Sequence, residues 1–460
     1  MKRAFLFGLV GAALAVASPA SLLFAQTTPP ATGANGVIVD ADGVLRHHSA
    51  TDRTGKLFAD RAAAARAQLG RQLAGPSKLR KVSLNRLEAA IKAKGEKNAP
   101  ISEEMKYLAG LTRVHYVFFY PETNDIVLAG PAEGWLADPV GRVRGIESNR
   151  PIVLLEDLVA ALRAYPPTGK KTNVIMCSID PTEEGLAKMQ AFLRSIGSVN
   201  PNVGSADEIV NGLRTSLGMQ NIRVGGVPAT THFAQVLIEA DYRMKLIGIG
   251  IERPPIRLAS YVDKANPAMV SKNALQRWYF IPDYQCVRVT PDNNGMELVG
   301  DGVKLVGEDQ VVLRDGTRKS NMKSNKASQA FVTGFTEKYT QLAARVPVFA
   351  QLRNCIDLAV AAAFIQQQDY YGKSGWNADV FSSEDAFSIE TLNTPLHVET
   401  TVTAVWKGAR LMTPVGGGVH IEPTQAIQSS NVMADDDGKV EEARTAISLK
   451  ELAANQWWWD

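Results

Sequence analysis

An extended apolar run followed by a helix start occurs twice between residues 172 and 248, and this repeat restricts the chain to folds that mix strands and helices. The first run, TNVIMCSID, leads into EEGLAKMQAFLRSIG. Asp180 can accept backbone N–H bonds as an N-cap, Pro181 suits the first helical position, and Glu183 completes a variant of the capping box. We therefore predict a buried strand that leads into a capped helix.

The second unit repeats this plan. NIRVGGVP is typical of a strand, Thr230 or Thr231 can cap the next helix, and HFAQVLIEADYRMKL continues it. Apolar residues recur in this segment at spacings of three and four and predict one helical stripe: Phe233, Val236, Leu237, Ala240 and Met244. The alternative is that the chain turns to strand near Tyr242, because KLIGIGIE is strand-like towards its end.

The charged residues of this second helix lie four positions apart. Glu239 precedes Arg243 and Asp241 precedes Lys245, the favourable order, which contributes about 0.2–0.5 kcal/mol per pair. We interpret these charges as a paired helix surface. His232 has no such partner, and it lies in the first helical turn.

One candidate site follows if strands 173–179 and 222–227 are parallel neighbours. Their ends would then bring Asp180 to the same sheet edge as Thr231 and His232, where α/β sheets bind ligands. Asp180 would orient His232, and the threonine hydroxyl would hold substrate or act as a nucleophile. The capping roles of Asp180 and Thr230 are the competing explanation.

The remaining segments complete an α+β prediction, in which a central mixed β-sheet with flanking helices precedes an antiparallel meander and a helical pair. The last strand pair is expected in HVETTVTAVWKGARLMTPVGGGVHIEP. We divide the chain into a signal peptide (1–25), a linker with a hairpin and N-terminal helices (26–104), a central α/β domain (105–275), a β-meander (276–330), a helical pair (331–370) and a C-terminal β segment with a tail (371–460).

The N-terminus predicts export. Lys2 and Arg3 precede an apolar run, and small residues offer cleavage after Ala25 or Ala17. No later stretch reaches the roughly 18 apolar residues that a membrane span needs, so we expect no transmembrane segment in the mature chain. A formal charge of +3 over 460 residues argues against nucleic acid as a partner. Three widely spaced cysteines allow at most one disulfide.

Several cofactor motifs are absent. The Gly-Lys-Ser at residues 372–374 lacks the earlier glycine of a phosphate-binding loop, since Gln367 occupies that position. Arg253 replaces the third glycine of a dinucleotide fingerprint, and no histidine or cysteine spacing is typical of zinc. We therefore expect neither cofactor nor metal. The terminal Trp457, Trp458 and Trp459 either pack in the interior or contact a partner such as an envelope polymer or another protein.

Five segments resemble a family of exported planctomycete proteins that is defined only as a domain of unknown function. They are GVIVDADGVL, HYVFFYPETNDIVLAGPAEGW, CSIDPTEEG, THFAQVLIEADYRMKLIGIGIE and RWYFIPDY, and the resemblance spans roughly residues 36–365. It implies a periplasmic, envelope-associated or extracellular protein, and it implies no reaction, cofactor or catalytic residue.

These observations favour a non-catalytic binding or structural component of the cell envelope. The alternative is an extracytoplasmic enzyme, such as a hydrolase, with its site at the strand ends near Asp180 and His232.

Overall fold

Two mixed β-sheets and the helices between and around them make up the fold. The computed structural model describes residues 36–48, 52, 54–196, 206–265, 274–284, 286–315, 317–321, 325–402, 415–446, 449, 452–453 and 455–460. They lie in the compact unit Thr32–Asp460. The predicted signal peptide lies outside the described residues.

The larger sheet contains nine strands among these residues. In spatial order they are β1 (Val37–Val39), β2 (Val44–His47), β15 (His397–Glu399), β9 (Met219–Gly225), β8 (Ile175–Pro181), β16 (Val415–Ile421), β10 (Ala274–Pro282), β13 (Val303–Val312) and β14 (Arg318–Asn321).

The smaller sheet has seven strands in the described ranges, and a separate two-stranded ribbon joins β6 (Trp135–Ala137) to β7 (Val143–Gly145). In spatial order the seven are β17 (Met433–Ala434), β11 (Val287–Val289), β12 (Gly295–Leu298), β4 (Tyr116–Tyr120), β5 (Asp125–Ala132), β3 (Ser77–Ser83) and β18 (Trp458–Trp459).

The α-helices are amphipathic segments around these sheets or apolar segments in the interior. They are α1 (Lys56–Gln68), α2 (Arg71–Ala74), α3 (Leu84–Gly95), α4 (Glu103–Lys106), α5 (Leu155–Ala164), α6 (Glu183–Ser195), α7 (Ala206–Leu217), α8 (His232–Gly248), α9 (Tyr261–Lys264), α10 (Lys326–Glu337), α11 (Tyr339–Arg345), α12 (Pro347–Gln367), α13 (Tyr370–Ser374), α14 (Pro423–Ala426) and α15 (Lys439–Thr445).

Helix α12 is the centre of the largest apolar core. Its residues from Val348 to Ile365 are all buried, and it packs against α5 and α8. Within the described part of the chain, it is the one helix that is long and apolar enough to cross a membrane, judged by length and composition. Here it is enclosed by protein on every side, as core helices are.

Many local predictions are confirmed. The hairpin expected within residues 26–104 forms as β1–β2. A second hairpin joins β4 to β5, and the Ser83 hydroxyl accepts a hydrogen bond from the Arg86 N–H at the start of α3. Helix α8 begins after Thr231, whose hydroxyl accepts from the Ala234 N–H at 3.2 Å. The alternative of a strand from Tyr242 is wrong, since α8 continues to Gly248.

Strand pairing differs from several expectations. Strands β8 and β9 are antiparallel, so the two strand–helix units are not βαβ units. The expected last strand pair is also wrong, because β15 pairs with β2 and β9 whereas β16 lies between β8 and β10. The strands of the predicted antiparallel meander divide between the two sheets. Strand β10 pairs with β13 in the larger sheet, whereas the hairpin β11–β12 pairs with β4 in the smaller sheet.

Glycines allow β16 its central place. A Cβ atom at Gly418 would lie 1.9 Å from the carbonyl oxygen of Cys177 on β8. One at Gly417, whose φ is +126°, would lie 1.9 Å from the carbonyl oxygen of Trp278 on β10. The run VGGGV therefore fits between two strands where bulkier residues would collide with backbone on both sides.

Candidate functional site

Asp180 and His232 lie at opposite ends of neighbouring strands. Asp180 is paired with Asn221 near the start of β9, whereas His232 follows the end of β9. The predicted shared edge is wrong because it required parallel strands. The carboxylate of Asp180 instead accepts hydrogen bonds from the Arg277 guanidinium at 2.7 Å and from the Gly417 N–H at 3.2 Å.

The N-cap of α6, the helix that follows β8, also differs from the prediction. Thr182, rather than Asp180, caps α6 by accepting the Gly185 N–H at 3.0 Å, and Pro181 belongs to β8. At the second helix, Thr231 accepts the Ala234 N–H and donates its own hydroxyl to the carbonyl of Pro228 at 2.8 Å. This hydroxyl is thus engaged with backbone on both sides.

The side chain that orients His232 is Asp157. Its Oδ2 lies 2.8 Å from His232 Nδ1, and both residues are buried. Helices α5 and α8, which carry them, both pack on α12. Burial by itself lowers the pKa of His232, but the adjacent Asp157 carboxylate outweighs it, so the pKa lies above the ordinary histidine value.

His232 forms part of the wall of a pocket of about 580 Å³. A volume of this size accommodates a small ligand. The walls come from α5, α8, α12, the residues after α4, and the loop 386–391, with polar groups that include Lys106, Tyr107, Glu156, Gln351 and Glu390. A buried histidine held by a carboxylate in the wall of a pocket can transfer protons.

Glu156 brings a second proton-transfer group to the same pocket. It precedes Asp157 in the first turn of α5. Burial raises the pKa of Glu156 to about 7, although His232 opposes this effect. The carboxyl group is therefore close to half-protonated at neutral pH, the condition in which it can serve as an acid or a base.

The loop beside the pocket is attached to the helix that carries both carboxyl groups. Arg163, two turns along α5, donates hydrogen bonds to the carbonyls of Phe381 at 2.8 Å, Ser383 at 3.0 Å and Phe387 at 2.6 Å. Because one arginine satisfies three carbonyls, the segment from Phe381 to Phe387, which leads into the pocket loop, has a defined position against α5.

In the wall of the pocket, the other ring nitrogen of His232 faces an amide. Gln351 Nε2 on α12 lies 3.4 Å from His232 Nε2, and the Gln351 carbonyl oxygen accepts a hydrogen bond from Arg142. Arg142 also donates to Glu239 on α8. A continuous set of buried polar contacts thus connects Asp157 with Glu239.

The charged pairs of α8 form, but not on a surface. Asp241 and Lys245 are 2.8 Å apart, with both side chains buried, and Glu239 lies 3.6 Å from Arg243. The expectation of a solvent-exposed face is wrong because α8 lies in the interior, against α12 and the larger sheet. Burial raises the pKa of Asp241 to about 6, against the opposing effect of Lys245.

Sequence reasoning identified His232 and missed its partners. Asp157 lies three residues after Leu154 and four before Ala161, on the apolar stripe of its helix, and a carboxylate in that position indicates a buried partner. For Gln351 and Arg142, no nearby sequence pattern indicates a buried partner, because they become neighbours of His232 only when the chain packs.

The other predicted features have definite places. Trp457 and Trp459 are buried, whereas Trp458 is half-buried, donates its indole N–H to Glu104 and lies 4.7 Å from the guanidinium of Arg80. Cys177, Cys286 and Cys355 are free and buried. In the described ranges, no three or more His, Cys, Asp or Glu side chains are grouped to hold a metal ion.

Fold and site together define an α+β protein with a histidine–carboxylate pair in the wall of a pocket. Residues 177–261 match the model of a family described as a protein of unknown function (DUF1598). Neither the curated proteins nor the solved structures provide a match to the chain. The matched stretch includes His232 and excludes Asp157, Glu156 and Gln351, so the pocket draws on residues beyond it.

Proposed function

We propose that the protein is an acid–base enzyme and that the pocket beside His232 is its active site. The observation that carries this proposal is the buried pair of His232 and Asp157, 2.8 Å apart, beside a carboxyl group with a pKa of about 7. Two titratable groups that face one cavity, with their pKa values shifted by burial and by each other's charge, are typical of catalytic sites.

Hydrolysis is the reaction class that we infer. His232 takes a proton from a water molecule as its oxygen attacks the substrate carbon, and protonated Glu156 gives its proton to the leaving oxygen as the carbon–oxygen bond breaks. The proton on His232 then returns to the Glu156 carboxylate, so one water is consumed and both groups recover their initial states. Asp157 keeps the imidazole oriented throughout.

The test is a screen of chromogenic esters and glycosides, followed by single variants. His232→Asn and Glu156→Gln should each lower kcat/KM by about 100-fold or more, the usual contribution of a general acid or base. His47→Asn is the matched control because His47 is exposed on β2. Hydrolysis that survives unchanged in both pocket variants would refute the proposal.

A second candidate function is binding to a cell-envelope polysaccharide. A cleft of about 690 Å³ is lined by Trp457, Trp458 and Trp459 together with Gln72 and Glu104. An aromatic ring bordered by amide and carboxylate groups can contact the apolar face of a sugar and hydrogen-bond its hydroxyls. This candidate also assumes the export, and the planctomycete origin, that the N-terminal sequence and the five-segment resemblance predict.

Co-sedimentation with isolated envelope polysaccharide tests this candidate. Trp458→Ala should abolish binding, whereas Trp458→Phe, which keeps an aromatic face, should retain most of it. Equal binding by both variants would eliminate Trp458 as the contact. Sequencing the N-terminus of protein recovered outside the cytoplasm tests export, since retention of Met1 would contradict cleavage after Ala25 or Ala17.

A further inference from the structure

We propose that Arg142 and Gln351 are positioning residues that set which ring nitrogen of His232 carries the proton. They form a relay, defined here as Glu239, Arg142, Gln351, His232 and Asp157. All five side chains are buried. The consequence for catalysis rests on the function proposed above, but the protonation pattern itself does not.

The argument begins at the outer end of the relay. A guanidinium group donates hydrogen bonds and cannot accept them. The Gln351 atom that faces Arg142 is therefore its carbonyl oxygen, which accepts a hydrogen bond from the Arg142 guanidinium. This leaves the Gln351 amide nitrogen directed towards His232, with its Nε2 at 3.4 Å from His232 Nε2.

The orientation of the amide decides the state of the ring. Because the Gln351 amide group donates, neutral His232 must present a lone pair at Nε2 and carry its proton at Nδ1. Asp157 accepts that proton's hydrogen bond at 2.8 Å. Both ends of the imidazole thus favour the same tautomer, and its basic nitrogen is the one beside Gln351 and the pocket.

Two further observations support the relay as a unit. Glu239, which accepts from Arg142, lies seven residues after His232 on α8, so the two side chains share a face two turns apart. The contact of 3.4 Å between Gln351 and His232 is long for a hydrogen bond. Gln351 therefore selects the tautomer without holding the lone pair so tightly that a proton cannot reach it.

Long-range ¹H–¹⁵N correlation spectra of protein labelled with ¹⁵N-histidine test this proposal directly. The chain has six histidines, and His232 is assigned by the signal that His232→Asn removes. At a pH where the ring is neutral, we expect Nδ1 to carry the proton and Nε2 to lack one. The reverse tautomer would overturn the proposal.

Gln351→Glu is the decisive variant because it replaces a donor by an acceptor of the same shape. The new carboxylate beside Nε2 should draw a second proton onto His232, so both nitrogens are protonated at a pH where the parent ring is neutral. A spectrum identical to that of the parent protein would overturn the role of Gln351.

Arg142→Met removes the group that orients the amide, and Arg144→Met is its matched control. Arg144 lies on β7 just after Arg142 but pairs with Asp138 at 3.4 Å. We expect Arg142→Met to let the Gln351 amide turn its oxygen towards Nε2, so that the ring keeps a proton on both nitrogens to a higher pH than in the parent protein, and Arg144→Met to leave the spectrum unchanged. If His232 has the predicted tautomer but the protein shows no hydrolytic activity, the relay is supported and the proposed enzymatic function is refuted. If the protein is an active hydrolase but His232 has the reverse tautomer, the relay is refuted and the enzymatic function is supported.

Discussion

Glu156 is a carboxyl group whose ionisation the folded protein opposes. Its pKa rises from 4.5 to about 7 on folding because of burial. Between these values the unfolded chain is ionised and the native group is not, so stability falls as the pH rises through this range. Glu156→Gln should remove this loss and stabilise the protein by roughly 2–3 kcal/mol above pH 7, with little gain near pH 4.

Urea unfolding at both pH values measures this difference. Glu183→Gln is the control because Glu183 is exposed at the start of α6, and its free energy of unfolding should change little at either pH. A gain in Glu156→Gln that is equal at both pH values would show that its cause is something other than the ionisation of Glu156.

Lys245 on α8 neutralises the buried carboxylate of Asp241 on the same helix. Its ammonium group donates to Asp241 at 2.8 Å and to the carbonyl of Ile179 at 2.6 Å. Lys245→Met should destabilise the protein by about 3–5 kcal/mol, because Asp241 remains buried without its counter-ion. The loss should be larger at about pH 8 than at about pH 5, since Asp241 can avoid the charge by keeping its proton.

Chemical denaturation should compare Lys245→Met with the double variant Asp241→Asn/Lys245→Met. Removing both charges should recover most of the lost stability, because no uncompensated ion remains. A double variant as unstable as Lys245→Met would assign the loss to packing around the lysine stem rather than to charge.

Strand β16 depends on glycine where it passes between its two neighbours. Gly418→Ala places a Cβ atom 1.9 Å from the Cys177 carbonyl oxygen, and neither backbone can move without breaking sheet hydrogen bonds. We expect a loss of about 3 kcal/mol or more in the free energy of unfolding. Gly95→Ala, at the exposed end of α3 with no neighbour within 4 Å, should be neutral or slightly stabilising. Equal effects would contradict the close approach of β16 to β8.

Helices and strands were predictable where the signal is local. The Ser83 cap, the Thr231 cap and the turn between β4 and β5 follow from residues within a few positions of each other. Strand neighbours far apart in the chain were not predictable: β16, for example, joins β8 across more than two hundred residues. Periodicity shows that a strand has a buried face but not which strand lies beside it.

The smaller sheet closes on the C-terminal segment, and this affects the whole fold. Strand β18 pairs with β3, and buried Arg80 donates to the Asp460 carboxylate at 2.8 and 3.0 Å. Removal of residues 457–460 should lower the free energy of unfolding by about 3 kcal/mol or more, since Arg80 loses its counter-ion and the edge of β3 is uncovered.

Differential scanning calorimetry measures this effect, and Trp458→Phe is the control because it keeps the backbone pairing and Asp460. An unchanged melting temperature in the shortened chain would show that β18 contributes nothing to the fold. The shortened protein is also a useful comparison in the polysaccharide experiment. It loses both the β18 pairing and the tryptophans, whereas Trp458→Ala loses one side chain, so a binding defect in Trp458→Ala is not caused by loss of β18.

Of the residues at the centre of the candidate site, only His232 was identified from the sequence. It stood out because no charged residue lies four positions away from it on its own helix. Its real partner, Asp157, lies 75 residues earlier, and the pocket needs α5, α12 and the loop 386–391 as well. The expected partner, Asp180, failed because one strand direction was assumed to be parallel.

The sequence by itself determined the mixture of strands and helices, several helix starts and turns, and the presence of a histidine without a charged partner on its own helix. Those features depend on contacts between residues close in the chain, such as caps, turns and the apolar stripe of a helix. Tertiary structure alone decided that α8 is buried, that β8 and β9 are antiparallel, and that Asp157, Glu156 and Gln351 surround His232. Packing selects those neighbours because burial energy is non-directional and depends on which apolar faces meet, whatever their separation along the chain.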